Sequence, residues 1–219
     1  GCRPEEVLVA STGVIGHPLP MEKIEAGIVA AGRALRPDGL SKAARAILTT
    51  DLTPKCVSLR TRIDGRTVTL AGIAKGSGMI EPNLATMLSF LLTDAAIAAP
   101  LLRKLLRAAA DESYNRVTVD GETSTSDTVF LLANGHAGNA LLRDAASAGA
   151  RRFAGALGEL TQELARAIAR DGEGATKLVT VRVSGARHAD DAVRAARRIA
   201  NSLLVKTALF GGDPNWGRI

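Results

Sequence analysis

From Met87 to Leu92 the chain reads Met-Leu-Ser-Phe-Leu-Leu, apolar at every position but one. Near-continuous apolarity over so short a run is the pattern of a strand buried on both faces, and a strand over Thr86 to Thr93 is predicted here. Such a strand needs cover on both sides, so the rest of the chain must supply layers. Upstream, Val7-Leu8-Val9-Ala10 predicts a short buried strand. Met21 to Leu35 predicts a helix, with Ile24, Ile28 and Leu35 near one face, broken by Pro37-Asp38-Gly39. Leu40 to Leu48 predicts a second helix. Cys56 to Thr61 and Arg66 to Ile73 alternate apolar and polar residues around Asp64-Gly65, the chemistry of a β-hairpin.

Downstream, Thr93-Asp94 offers a cap for a helix over Ala95 to Glu112 that Pro100 breaks or restarts. Val117 to Asp120 and Thr128 to Ala133 predict strands. Phe153, Leu157, Leu160, Leu164 and Ile168 recur at three- and four-residue spacing, the stripe of a long amphipathic helix. Asp171-Gly172-Glu173-Gly174 ends it. Leu178 to Val183 predicts a strand, a helix starts at Asp190 or Asp191, and Lys206 to Phe210 predicts a last strand. The alternation gives an α/β fold with mixed sheets and flanking helices.

At 219 residues the chain is one large domain or two small ones. Aromatics make up only 3%, which argues against stacking on nucleic-acid bases. The formal net charge is +6, but Arg103, Arg107, Arg151, Arg152, Arg166 and Arg170 are spread among helical alanines. That is a solvated face rather than a nucleic-acid-binding block. No membrane partner is expected either, because the longest apolar run is far too short to span a bilayer. Cys2 and Cys56 lack metal-ligand spacing and fit a reducing cytosol, and no signal peptide is visible at Gly1-Cys2. His17, His136 and His188 have no carboxylate or cysteine at ligand spacing, so no metal is expected.

The segment leading into the apolar run, Lys75-Gly76-Ser77-Gly78-Met79-Ile80-Glu81-Pro82-Asn83-Leu84-Ala85-Thr86, is the densest collection of unusual residues in the chain. Gly76 and Gly78 allow torsions and close approaches that other residues resist. Pro82 fixes its own torsion and biases Glu81 toward extended geometry. Lys75-Gly76-Ser77-Gly78 lacks the order of a phosphate loop. Two readings stay open: an ordinary loop before a core strand, or a constrained loop holding a reactive peptide bond. A threonine hydroxyl is a poor nucleophile without a base. Its own α-amine, with a reference pKa of roughly 7.7–8.0, can serve once the preceding bond is cut. Attack by Thr86 Oγ on the Ala85 carbonyl would shift the acyl group from nitrogen to oxygen, and water would release a free Thr86. The Thr12-Gly13 turn is a reasonable supplier of the two oxyanion donors such chemistry needs.

Taken together the motifs resemble the glutamate N-acetyltransferase family, also called ornithine acetyltransferase. They are Ser11-Thr12-Gly13-Val14-Ile15-Gly16, Thr49-Thr50-Asp51, Lys75-Gly76-Ser77-Gly78-Met79-Ile80, Pro82-Asn83-Leu84-Ala85-Thr86-Met87, Asp127-Thr128, Leu132-Ala133-Asn134-Gly135, Asp171-Gly172-Glu173-Gly174-Ala175-Thr176-Lys177 and Asp213-Pro214-Asn215-Trp216-Gly217-Arg218. The resemblance covers essentially the whole chain in order. It implies an N-terminal-nucleophile-like layered architecture and self-cleavage between Ala85 and Thr86. Residues 1–85 would then be the C-terminal part of the family's α chain, and residues 86–219 the N-terminal part of its β chain. It further implies a cytoplasmic enzyme of arginine biosynthesis that moves acetyl from N2-acetylornithine to glutamate through an acetyl-threonine at Thr86, assembled from two α and two β chains. Thr12 and Gly13 map onto the family's oxyanion hole, and Thr49, Lys75, Thr86 and Glu173 onto its substrate contacts. No cofactor is implied, although some members also use acetyl-CoA as co-substrate. The residue types agree: Lys75 can pair with a substrate carboxylate, Glu173 with an amino group, and the Thr49 hydroxyl with either. Thr50 is the one-residue-off alternative to Thr49.

Family chains are longer at both ends, so this sequence has the look of an internal fragment, and the full-length product is expected to be the enzyme. A competing reading keeps Thr86 as nucleophile but passes the acyl group to water, as N-terminal-threonine amidases do.

Overall fold

The computed structural model describes residues 3–81 and 87–219. Among them four strands form one mixed sheet in the order β1-β2-β3-β4: β1 Lys55–Ile63, β2 Arg66–Lys75, β3 Leu88–Thr93 and β4 Thr128–Ala133. β1 and β2 are the predicted hairpin. Asp64 and Gly65 turn it with φ of 50° and 77°, the left-handed pair a tight two-residue turn demands. β3 runs antiparallel to β2, with Lys75 opposite Leu88 and Gly72 opposite Leu91. It runs parallel to β4, with Leu91 opposite Leu131. The α/β class with a mixed sheet and flanking helices is the one the alternation predicts.

The long helix α4, Ala148–Arg170, packs on β1 and β2 and beside α3, Ala99–Asp111. Its stripe behaves as its spacing predicts: Phe153, Leu157, Leu160, Leu164 and Ile168 are all buried, against Ile63, Val68, Leu70, Ala74 and Leu91 of the sheet. Burying each such side chain contributes about 1.5–3 kcal/mol. Gly72 is the gap that lets the helix down onto the strands, since a Cβ there would stand 2.7 Å from Leu91 Cδ2 and 2.9 Å from Leu164 Cδ1. Ser147 caps α4, its Oγ accepting the Ala150 N–H at 3.2 Å, a contact worth about 1 kcal/mol.

The other face of the sheet is unevenly covered. Ile73 and Leu88 are buried there, as is Ala44 of α2, Leu40–Ala46, which packs on β1 and β2. Toward the far end Leu92 is 38% and Leu132 51% exposed, beside an open groove of about 370 Å³. The central strand is therefore buried on both faces only near Lys75. No described helix is long and apolar enough to cross a membrane.

Several predicted elements differ. Val7 to Ala10 is not a strand, and Val7, Leu8 and Val9 are more than half exposed. Val117 to Asp120 and Leu178 to Val183 are likewise outside the sheet. Short apolar runs announce burial, but a strand also needs a partner edge, and these segments have none among the described residues. Lys206 to Phe210 belongs to a helix, α6 Leu203–Gly211, rather than a strand. Ser202 caps it, and Gly212 ends it at φ 70°. A run this apolar satisfies both periodicities, so its flanking residues decide. Thr93 and Asp94 do not cap α3, which starts at Ala99 with Pro100 in its first turn. They clamp β2 instead: Thr93 Oγ1 donates to the Thr69 carbonyl at 2.8 Å and Asp94 Oδ1 accepts the Thr69 N–H at 2.7 Å. Helices α1, Met21–Arg33, and α5, Ala189–Ala200, lie where their periodicity puts them.

Candidate active site

β1 begins and β2 ends at the same edge of the sheet, where Lys55 lies opposite Ala74. Two lysines are buried there, Lys55 and Lys75. A buried ammonium demands partners. Lys55 has them: Nζ donates to Asp51 Oδ1 and to Asp171 Oδ2 at 2.6 Å each. Both carboxylates have further contacts. Asp51 Oδ1 accepts the Gly76 N–H at 2.7 Å, and its Oδ2 accepts the Thr49 N–H at 3.3 Å. Asp171 Oδ2 accepts the Leu52 and Thr53 N–H groups at 3.0 and 3.3 Å, and the Asp171 carbonyl accepts the Ser77 hydroxyl at 2.7 Å. Burial by itself would raise the Asp51 pKa, but the Gly76 amide and the Lys55 ammonium together hold it below the usual carboxylate range. Lys55, Asp51 and Asp171 thus tie segment 49–53, the loop after β2 and the end of α4 into one knot.

Lys75 is less well provided. Its Nζ donates to Thr49 Oγ1 at 3.2 Å, and among the described residues no carboxylate comes within ion-pair distance of it. Burial lowers its pKa, and Lys55 adds to that, while attraction from Asp51 and Asp127 opposes it. An ammonium has three donors. With one directed at a hydroxyl, this one is suited to a carboxylate brought by a ligand.

The loop beyond Lys75 is held in uncommon torsions. Gly76 has φ 154° and Met79 has φ 56°, a left-handed value that side chains seldom adopt. Asp120 holds the turn: its Oδ2 accepts the Met79 N–H at 2.6 Å and its Oδ1 the Ile80 and Glu122 N–H groups at 2.9 and 3.0 Å. Backbone bonds from Val119 N to the Ile80 carbonyl, 2.6 Å, and from Glu81 N to the Glu122 carbonyl, 2.9 Å, splint the same stretch. On the other side of residues 82–86, Asp127 Oδ1 accepts the Met87 N–H at 2.6 Å, and Thr128 N–H donates to the Met87 carbonyl at 2.9 Å. The chain is therefore anchored on both flanks of Pro82 to Thr86. Asp127 Oδ2 is buried and has no hydrogen-bond partner among the described residues. Burial pushes the Asp127 carboxyl up to about 6, against the Met87 amide and the Lys75 ammonium.

Of the residues the sequence singles out, the structure brings together Thr49 and Lys75. Of the adjacent threonines, Thr49 is the one that receives the Lys75 ammonium. Glu173 joins the same loop from the end of α4: its N–H donates to the Ser77 carbonyl at 2.9 Å. Its carboxylate lies over Gly78, where a Cβ would stand 2.6 Å from Glu173 Cδ. Glu173 also borders a cleft of about 400 Å³ lined by Val119, Leu178, Val179 and Phe210. Thr12 and Gly13 lie on the loop before α1, Thr12 half-buried and Gly13 exposed. Among the described residues no hydrogen bond joins them to Thr49, Lys75 or Glu173. Ala85 and Thr86 lie outside the described residues.

Sequence reasoning missed the roles of Asp51, Lys55, Asp120, Asp127 and Asp171. The signal was partial. Asp51 closes the motif Thr49-Thr50-Asp51, Asp127 precedes Thr128, and Asp171 opens the glycine turn that carries Glu173. An acidic side chain beside a motif residue was legible, but not the amide or ammonium it holds.

A model of the ArgJ family matches residues 1–219. The chain is 57% identical, over all its 219 residues, to the arginine biosynthesis bifunctional protein ArgJ of Symbiobacterium thermophilum, of which the match covers 54%. It is 52% identical over 216 residues to the protein of the same name from Synechocystis sp., covering 99% of this chain and 52% of that one. The chain thus spans about half the length of these relatives. Its fold is similar to the crystal structure of the arginine biosynthesis bifunctional protein ArgJ from Bacillus halodurans, with a TM-score of 0.57 and 46% identity, over 59% of this chain and 60% of that one. Matched along its entire length, with the resemblance read from its motifs holding throughout, the chain belongs to the ArgJ family.

Proposed function

We propose that the full-length protein containing this chain is a self-processing acetyltransferase of arginine biosynthesis. It cuts itself between Ala85 and Thr86, and the two resulting chains stay together in a cytoplasmic assembly of two α and two β chains. The freed Thr86 takes acetyl from N2-acetylornithine and hands it to glutamate, its own α-amine serving as base in each half-reaction. Acetyl-CoA is a second donor to be offered in the same assay.

The observation that carries this reading is the Lys75 ammonium, buried, hydrogen-bonded to Thr49 Oγ1 and to no carboxylate among the described residues. N2-acetylornithine and glutamate share an α-carboxylate, so one cation can hold the donor and then the acceptor in the same place. β3 supports this assignment, because Leu88, two residues after Thr86 in the chain, is the cross-strand partner of Lys75. Glu173, lying over Gly78, offers a carboxylate for a substrate amino group. Thr12 and Gly13 are assigned the oxyanion donors by the family resemblance.

Intact mass of the full-length protein tests the reading. Splitting between Ala85 and Thr86, blocked by Thr86→Ala, is expected. Exposure to N2-acetylornithine should then leave one acetyl group on the chain that begins with Thr86, removed by added glutamate. An unsplit wild-type chain with full transfer activity would sink the mechanism. An adduct that water removes as fast as glutamate does would make the protein a hydrolase.

A further inference from the structure

Lys75 and Glu173 are assigned opposite ends of one substrate, yet they stand on different parts of the fold. Lys75 ends β2, and Glu173 follows the end of α4. The α-nitrogen of N2-acetylornithine is acylated, so its free ammonium lies three methylenes from the carbon that bears its carboxylate. A cation and an anion that hold those two ends must keep a set spacing. A site whose halves moved independently would accept longer and shorter diamino acids as well.

The Lys75 half is fixed from several sides. Its buried ammonium rests on Thr49 Oγ1, and the next amide, Gly76 N–H, is held by Asp51 Oδ1 at 2.7 Å. Beyond Gly78, Asp120 holds the Met79 and Ile80 amides. The Glu173 half lies past the last turn of α4, and Glu173 itself is exposed. Something must tie it to the loop after β2.

Ser77 makes that tie. It is buried and two residues from Lys75. Its Oγ donates to the Asp171 carbonyl at 2.7 Å, and its own carbonyl accepts the Glu173 N–H at 2.9 Å. The two bonds run in opposite directions between short segments 94 residues apart. One hydrogen bond lets two segments pivot, whereas a reciprocal pair sets their orientation as well as their distance. The Glu173 carboxylate then lies over Gly78, in space that a side chain at 78 would fill. The order Ser77-Gly78 thus has a physical reason: a hydroxyl that binds, followed by a residue that leaves room. Asp171 adds a second strut, its Oδ2 accepting the Leu52 and Thr53 amides from the segment that begins at Thr49.

We infer that Ser77 is a positioning residue that sets the span between Lys75 and Glu173, and so selects diamino-acid donors by chain length. This rests on the reading of Lys75 and Glu173 as substrate contacts. Ser77 acts through Glu173, its hydroxyl being committed to the Asp171 carbonyl.

The test uses full-length protein with glutamate as acceptor and three donors: N2-acetylornithine and its homologues one methylene shorter and longer, N2-acetyl-2,4-diaminobutyrate and N2-acetyllysine. The readout is the preference for N2-acetylornithine in kcat/KM. Wild type should show a preference of about 10–200-fold, the usual discrimination of one methylene. Ser77→Ala should lower it by about 2–10-fold, the equivalent of one neutral hydrogen bond, chiefly by raising KM for N2-acetylornithine. Gly72→Ala, a packing change inside the core, is the control and should lose stability with the preference unchanged.

A Ser77→Ala enzyme with the wild-type preference overturns the inference. So does a Gly72→Ala enzyme whose preference falls as far, or a wild type that has none. Should Ser77→Ala fail to fold, Asp171→Asn decides: it weakens the second strut and should lower the preference too, and an unchanged preference overturns the inference equally. Lys75→Met and Glu173→Gln check the reading beneath. Wild-type KM for N2-acetylornithine in both would remove the substrate contacts themselves. A raised KM in both, beside an unchanged preference in Ser77→Ala, removes only the role of Ser77.

Discussion

Lys75 donates to the Thr49 hydroxyl across 3.2 Å while almost wholly withdrawn from water. The two residues are 26 apart in the chain and belong to no common element. Among the described residues the contact leaves a buried ammonium with most of its donors free for a ligand. Lys75→Met should lower kcat/KM for both N2-acetylornithine and glutamate by about 10–100-fold, the equivalent of one charge-assisted hydrogen bond. It should leave thermal stability unchanged or raised, since the charge is costly to bury. Steady-state kinetics and calorimetry on the full-length protein check both. A variant that loses stability but keeps both KM values would make Lys75 a structural residue.

The Lys55 knot should behave in the opposite way. Its ammonium is paired to two carboxylates at 2.6 Å, and Lys55→Met strands both. Breaking a buried pair by removing one partner costs about 3–5 kcal/mol. Urea unfolding should show a loss of that size. A loss below about 1 kcal/mol would mean that water reaches the knot and replaces the lysine.

Asp51 and Asp127 should give opposite pH signatures. The Asp51 pKa is lowered in the fold, so its stabilisation is complete above the unfolded value of 3.8 and is lost as pH falls through the depressed folded value. The Asp127 pKa is raised from 3.8 to about 6, so its contribution is present below 3.8 and is lost as pH rises through about 6. Asp51→Asn should therefore destabilise at neutral pH and narrow the gap to wild type in acid. Asp127→Asn should raise the melting temperature above pH 6 and match wild type below pH 4. Thermal melts across that range check the signs, and a stabilising Asp51→Asn at neutral pH would contradict the assignment.

Two glycines should separate packing from function. A Cβ on Gly72 meets Leu91 and Leu164 inside the core, so Gly72→Ala should cost about 1–3 kcal/mol by overpacking. The atoms nearest a Cβ on Gly78 are those of the Glu173 carboxylate, the far end of a side chain that can swing away. Gly78→Ala should keep the melting temperature within a few degrees and raise KM for the amino-acid substrates several-fold. Unchanged kinetics would argue that Glu173 does not hold them.

Much of the scaffold was legible in the amino-acid order. Asp64-Gly65 announced the hairpin, Thr128 to Ala133 the fourth strand, and the stripe from Phe153 to Ile168 the covering helix. These are local properties, since a turn residue sets two torsions and a periodicity chooses one face. Thr86 was likewise marked by its chemistry, a hydroxyl that could generate its own base once the bond before it is broken.

The tertiary structure decided which charge meets which. Lys55 and Asp171 are 116 residues apart and close one ion pair. Asp127 reaches back 40 residues to the Met87 amide. It also decided that Leu178 to Val183 finds no strand edge among the described residues and that Lys206 to Phe210 coils into α6. Strand pairing and ion pairing join segments distant in sequence, and no local window carries the identity of the partner. The sequence by itself determined where elements form and which residues can do chemistry. Only the fold determined that, among the described residues, Lys75 is left with donors free and Asp127, holding the Met87 amide, with its other oxygen unpartnered.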